Sequence, residues 1–414
     1  MIKYWIATFG LFAFLFVLSA CYKEEPVATE YSGTSFLFEM SENAEEKIDE
    51  ARGEQFFIEP TPSMHLGSKT FAIERFKIRG QSALDFQRKS FAVKLSSSLL
   101  LPVNEQAYYE FEKFKLISMV FDYTYIENRL AHLLLQKAGL WPLHSFYTEV
   151  LINQHHKGLY LFVNDPAEYL FNENKAVALL RRYYQNQLSN IEINEAATSH
   201  KPQEFTDAFM QIYELLNKYN GVQLYWQLEQ RMNIEDYMRK MAIDFLLKNG
   251  DTTDETFFYA MEKNGAIYFN ILPWDYDDLF SSQPHEAGRD WAVGTLFGER
   301  RYPENQDVLN ALDGRLIYSI EDDLDYIIAI DDYLYEKYLE QLKAILPIFD
   351  EEVVTSVFDQ VYNELWPFYQ NKEIIHQSQF DSDATSTELL QTNIDHKKEL
   401  LTKRIGFVKK QLSP

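Results

Sequence analysis

The chain has 414 residues, 46% hydrophobic and 15% aromatic, enough apolar material for one large or two modest domains and too much for a disordered protein. Its 63 acidic and 39 basic side chains leave a net charge of -24, so the surface as a whole repels nucleic acid and anionic membranes. With one cysteine, Cys21, no internal disulfide can form, and stability must come from the core.

In chain order, the first segment is MIKYWIATFGLFAFLFVLSAC, residues 1–21: one lysine, a short apolar stretch, then Leu18-Ser19-Ala20-Cys21. It resembles a bacterial lipoprotein signal with lipidation at Cys21, because about fifteen apolar residues are short for a bilayer core of roughly 30 Å. Residues 22–33 are polar and contain a proline, as a flexible tether does. Lys23-Glu24-Glu25 resembles a sorting signal of surface lipoproteins, so the expected location is the bacterial cell envelope, lipid-anchored at the outer membrane, with periplasmic and external orientations both open.

Residues 34–165 are strand-rich: TSFLFEM, EQFFIE, TFAIERFKIRG, SFAVKLS, FKLISM, FYTEVLIN and GLYLFVN set β-branched and aromatic residues between turn signals. One helix is predicted among them, in YTYIENRLAHLLLQKAG, with Thr124 and Glu127 as a capping box and Gly139 as the stop. From 166 to 414 the periodicity is helical, in EFTDAFMQIYELLNKY, VQLYWQLEQRM, NIEDYMRKMAIDFLLKN and most of 305–412. The exception is a hairpin over 257–272, turning at Asn264-Gly265, while 172–202 and 281–304 read as irregular loops. The fold class is α+β, with a strand-rich N-terminal part and a mainly helical C-terminal part.

Carboxylates crowd both outer ends of that hairpin: Asp251, Asp254 and Glu255 before it, and Asp275, Asp277 and Asp278 in PWDYDD after it. The two ends lie side by side, so the acids can converge. In an extended chain Asp275 and Asp277 point together, and Asp278 points away as a turn cap. Acids with open coordination suit Mg²⁺ or Mn²⁺, which keep waters and substrate phosphates in the shell; the competing reading is that all are turn caps. His155-His156, between two strands, reads as a polar hairpin loop. No Walker A, GxSxG or HExxH pattern is present.

The order RGQSALDFQRKSFAVKL, FDYTYIENRLAHLLLQKAGL, TEVLINQHHKGLYLFVN, DFLLKNGDTTDETFFYA and ILPWDYDDLF, over about residues 70–280, resembles the CotH family of spore-coat kinases. The resemblance implies an atypical protein-kinase-like, two-lobed fold and transfer of phosphate from ATP to protein Ser/Thr, with Mg²⁺ or Mn²⁺. Asp251 then matches the catalytic aspartate and Asp275 the metal-binding one, with Asp277 and Asp254 as further ligands. Lys94, with Lys89 as its rival, and Arg79 are candidates for the phosphates. Two departures stand out: Thr256 where the family has an asparagine, and Asn164 where a glutamate is expected. They keep two other readings open, a kinase-like surface binding or adhesion module and a metal-dependent hydrolase. The partner is then a protein substrate or surface ligand, with the membrane met through the lipid anchor.

Overall fold

The structure, a computed structural model, describes residues 35–104, 107–122, 124–182, 191–252, 256–281, 295–296, 299–300, 314–320, 322–375 and 387–413. The lipobox segment with Cys21, the tether 22–33, Asp254 and nearly all of 281–304 lie outside the described residues. The chain forms two compact units, residues 33–99 with 111–414, and residues 1–32 with 100–110. Of the second unit, only the strand ends at 100–104 and 107–110 are described.

The strand-rich half closes into a barrel. Its strands are β1 (Ser35–Glu39), β2 (Ser63–Leu66), β3 (Lys69–Arg79), β4 (Ser90–Asn104), β5 (Ala107–Ile117), β6 (Ser145–Ile152) and β7 (His155–Asn164), in the order β1-β2-β3-β4-β5-β7-β6. β1 closes the ring by pairing antiparallel with β2 and parallel with β6, so Phe36 faces both Leu66 and Val150. Alternation aims one side chain in two inward. The inward ones are largely aromatic: Phe38 against Phe76, Phe76 against Phe91, and Phe36 and Phe114 against Phe162, all buried. Such rings fill a small barrel without leaving a channel. The outer face of β7 is also covered, because Leu159, Leu161 and Val163 belong to the core of the helical half.

Three elements of this half depart from expectation. EQFFIE is not a strand: Phe57 makes a single bridge to Lys77 and is 47% exposed. SENAEEKIDE, taken as part of the strand-rich region, forms helix α1 (Glu42–Glu50), whose N-terminus Ser41 caps by accepting the Ala44 N–H. The helix α2 (Glu127–Lys137) exists and stops at Gly139 with φ 73°, but its capping box does not form: Ile126 occupies the cap position without a side-chain bond.

The helical half contains α3 (Pro166–Glu173), α4 (Pro202–Leu216), α5 (Gly221–Glu229), α6 (Ile234–Leu247), α7 (Asp323–Ile330), α8 (Asp332–Ile345), α9 (Glu351–Tyr369), the short α10 (Lys372–Ile375) and α11 (Thr387–Gln411). Between them the stretch read as an irregular loop supplies two strands, β8 (Ala178–Arg182) and β9 (Ile191–Ala196). They extend the expected hairpin of β10 (Thr256–Lys263) and β11 (Ala266–Leu272) into a four-stranded sheet, β11-β10-β8-β9. Asn264 and Gly265 both have positive φ, 54° and 77°, as the tight hairpin turn requires. The class is therefore α+β, with barrel closure as the feature no local pattern announced. Among the described residues no helix is long and apolar enough to cross a membrane.

Candidate functional site

The site is built from the chain on either side of β10 and β11. Helix α6 starts where the Asn233 side chain accepts the Asp236 N–H at 3.2 Å, and ends at Lys248, whose left-handed backbone (φ 53°) turns the chain out of the helix. Asn249, Gly250, Asp251 and Thr252 follow. On the other side, β11 ends at Leu272 and Pro273-Trp274 leads into Asp275, which has a left-handed φ of 62°. The chain is not extended at Asp275, so the alternation argument that separated Asp278 from Asp275 and Asp277 does not apply.

Backbone bonds lay the two segments together. Gly250 N–H donates to the Asp278 carbonyl at 2.7 Å, Phe280 N–H to Leu247 at 2.8 Å and Ser281 N–H to Lys248 at 3.1 Å. The Asn249 amide, fully buried, reaches the Asp275 carbonyl at 3.3 Å. The backbone of Asp278 is thus a pairing group between the two segments.

The acids converge on Asp277. Its carboxyl is hydrogen-bonded to Asp251, and burial first, then the negative charges of Asp275, Asp251 and Asp122, push its pKa well above the usual carboxylate range. Asp122 is itself buried and capped by four donors: the N–H groups of Ile126 (3.2 Å), Glu127 (2.7 Å) and Asn128 (3.4 Å), and the Thr124 hydroxyl (3.0 Å). It does the work expected of Thr124. Burial still raises its pKa, against the pull of Lys397.

Glu127 is freed from the cap and joins the site. One oxygen accepts the Leu279 N–H at 2.7 Å, next to the acid-bearing turn, and the other pairs with the Lys397 ammonium of α11. Burial and the neighbouring Asp122 push its pKa up to about 7, with Lys397 opposing.

Asp251, Asp275 and Asp277 are hard oxygen donors held close enough to repel, and a divalent cation would relieve the repulsion that lifts Asp277. Among the described residues no group of three or more His, Cys, Asp or Glu side chains encloses a ready-made metal cage. Mg²⁺ does not need one, since one or two carboxylates with waters and substrate phosphates complete its shell, and the donor set fits it.

Two of the expected cations have partners within the strand-rich half. Lys94 points outward from β4, its ammonium 2.6 Å from Glu74, and that pairing holds the Glu74 carboxyl below its usual range. Lys89 is buried, its ammonium on the Leu84 and Phe86 carbonyls, and burial lowers its pKa. Arg79 ends β3 opposite Ser90. A lysine that sequence reasoning passed over, Lys115 of β5, has its ammonium 4.9 Å from the ring centroid of Trp274, the residue before Asp275 in the chain, and 3.7 Å from Asp165. The only prior signal was its alternation with Phe114 and Leu116, which aims it out of the barrel.

The two departures also find their places. Thr256 is buried and accepts from Arg182 at 3.3 Å. Asn164 is buried and accepts the His144 N–H at 2.8 Å, tying β7 to the segment before β6. His155 and His156 are strand rather than loop residues: they begin β7 opposite Ile152 and Leu151, with His155 meeting Glu45 of α1 and His156 meeting Glu149 of β6.

A family model described as CotH kinase protein matches residues 76–406. No curated protein matches the chain.

Proposed function

The chain belongs to the CotH kinase family, and from that premise we propose that it transfers phosphate from ATP to serine or threonine hydroxyls of proteins at the bacterial cell envelope. The observation that carries this reading is the convergence of Asp251, Asp275 and Asp277 across the paired segments 247–251 and 275–281. In this reading the barrel acts as the N-terminal lobe of a kinase-like fold and the helical half as its C-terminal lobe.

The roles divide by chemistry. Asp251 orients the acceptor hydroxyl and takes its proton as the oxygen bonds to the γ-phosphorus; the bond from phosphorus to the β-phosphate oxygen breaks, and ADP leaves with that electron pair. Asp275 and Asp277 would hold Mg²⁺ or Mn²⁺, which supplies neutralisation of phosphate charge, with Asp254 as a further candidate ligand. A barrel lysine, Lys94 or Lys115, would add positive charge on the phosphates, with Lys89 and Arg79 as further candidates. In this reading Thr256, whose hydroxyl accepts from Arg182, serves the sheet rather than the metal.

The test uses protein lacking residues 1–21, incubated with labelled ATP and Mg²⁺ or Mn²⁺ beside Asp251→Asn and Asp275→Asn. Wild type should incorporate label, with losses of 100-fold or more in the variants, on the order reported for lost general-base or charge-stabilising groups. Nucleotide binding without transfer by wild type would replace the kinase with a binding module. Metal-dependent release of free phosphate from an ester would replace it with a hydrolase. We further propose lipid attachment at Cys21; an unchanged membrane fraction for Cys21→Ser would remove that part.

A further inference from the structure

One buried carboxylate outside the acid cluster touches both of the turns that carry it. Asp244, at the start of the last turn of α6, is 1% exposed and accepts two side-chain hydroxyls. Its Oδ2 takes the Thr252 hydroxyl at 2.7 Å, and its Oδ1 takes the Tyr276 hydroxyl at 2.8 Å. Thr252 is the residue after Asp251; Tyr276 stands between Asp275 and Asp277. Lys240, one helical turn earlier, completes the arrangement, its ammonium 2.7 Å from Asp244 and 2.6 Å from the Thr252 carbonyl. All of these side chains are buried.

We propose that Asp244 is a positioning residue that sets the separation of Asp251 from Asp275 and Asp277, acting through Thr252 on one turn and Tyr276 on the other. A single carboxylate has two oxygens at fixed spacing, so two short charge-assisted bonds fix two chain segments against one rigid helix. The backbone pairs between the segments bind Gly250, Phe280 and Ser281, but none of them fixes the side chains at 251 and 277. Asp244 and Lys240 are oriented by the helix, and their mutual pairing removes the cost of burying either charge alone. The inference rests on the reading of Asp251, Asp275 and Asp277 as the site.

The test follows Thr252→Val, Tyr276→Phe and Thr252→Ser by two measurements. One is amide hydrogen exchange at Gly250 and Phe280, whose N–H groups pair the two segments. The other is Mn²⁺ affinity in the presence of ATP, read from loss of the free-ion electron paramagnetic resonance signal. Removing one charge-assisted bond should accelerate exchange at these amides, and weaken Mn²⁺ binding, by about tenfold each. Thr252→Ser, which keeps the hydroxyl, should match wild type in both. Unchanged exchange at the two amides overturns the inference, as does acceleration spread equally through α6 and β10. Local acceleration with unaltered Mn²⁺ affinity overturns the role of Asp244 in the site. If wild type binds no Mn²⁺ while the amides respond as expected, the reading of the site falls and the clamp stands.

Discussion

Asp277 carries the sharpest consequence at the scale of single residues. Its folded-state pKa lies well above the 3.8 of a free aspartate, so between those values the folded chain holds a proton that the unfolded chain has released. Stability of the metal-free protein therefore falls as pH rises through that window, and Glu127, raised from 4.5 to about 7, adds to the slope in the same direction. The melting temperature in chelator should drop between about pH 4.5 and about pH 7. Asp277→Asn, which cannot ionise, should flatten part of that slope and raise the melting temperature at the alkaline end. A slope unaffected by the substitution would mean that Asp277 ionises freely. The lysines make a second prediction at this scale. Lys115→Met, which removes the ammonium lying against Trp274, should raise the KM for ATP by roughly tenfold, the scale of one charge-assisted contact, while Lys94→Met, which removes the partner of Glu74 on β3, should change it little. The reverse order would return the phosphate contact to Lys94.

Single elements differ in how far their sequence betrays them. The β10–β11 hairpin was legible because Asn264-Gly265 fixes the turn type and therefore the register, Lys263 opposite Ala266. The acids at its outer ends followed from that register. Helix α2 was legible in extent but not in its start. Thr124-x-x-Glu127 matches the capping box, yet Asp122 offers a charged acceptor that reaches three N–H groups at once, and the pattern carries no term for that competitor. β8 escaped notice because ALLRR ends in two arginines and is buried along its whole length; Arg182 is tolerated there because Tyr213, Tyr237 and Asp322 meet its guanidinium. The cap gives a test. Asp122→Ala should destabilise by about 2 kcal/mol or more, since it strips a cap and leaves buried donors unpaired, whereas Thr124→Val should cost under about 1 kcal/mol. Denaturant midpoints that rank the two variants the other way would restore the capping box.

Barrel closure, and the ties between distant segments, belong to the scale of the whole molecule. Closure needs β1 to pair in parallel with β6, residues more than a hundred positions apart, and no local signal specifies such a pairing. The C-terminal helix shows the same principle at the site. α11 reaches α2 through Lys397 and Glu127, 270 positions apart, and reaches α6 through the Arg404 guanidinium, which donates to the Phe245 carbonyl at 3.2 Å and lies over its ring. It therefore binds together α2, whose N-terminus Asp122 caps, and α6, which carries Asp244, and its periodicity gave no hint of that.

Lys397 is the informative position for measuring this tie. Lys397→Met leaves Glu127 buried beside Asp122 without its counter-charge, and breaking such a pair typically costs about 3 kcal/mol. Because the Glu127 pKa is already about 7, the carboxyl escapes part of that cost by taking a proton, so the loss should be small in mild acid and grow toward alkaline pH. Glu127→Gln in the same chain keeps an oxygen to accept the Leu279 N–H and removes the stranded charge. The double variant should therefore regain most of the lost stability at alkaline pH. Denaturant titrations of wild type, the two single variants and the double, at two pH values, form a complete cycle. If the double variant is as unstable as Lys397→Met, the loss does not come from a stranded Glu127 charge, and the ion pairing of Lys397 with Glu127 contributes nothing to holding the helix.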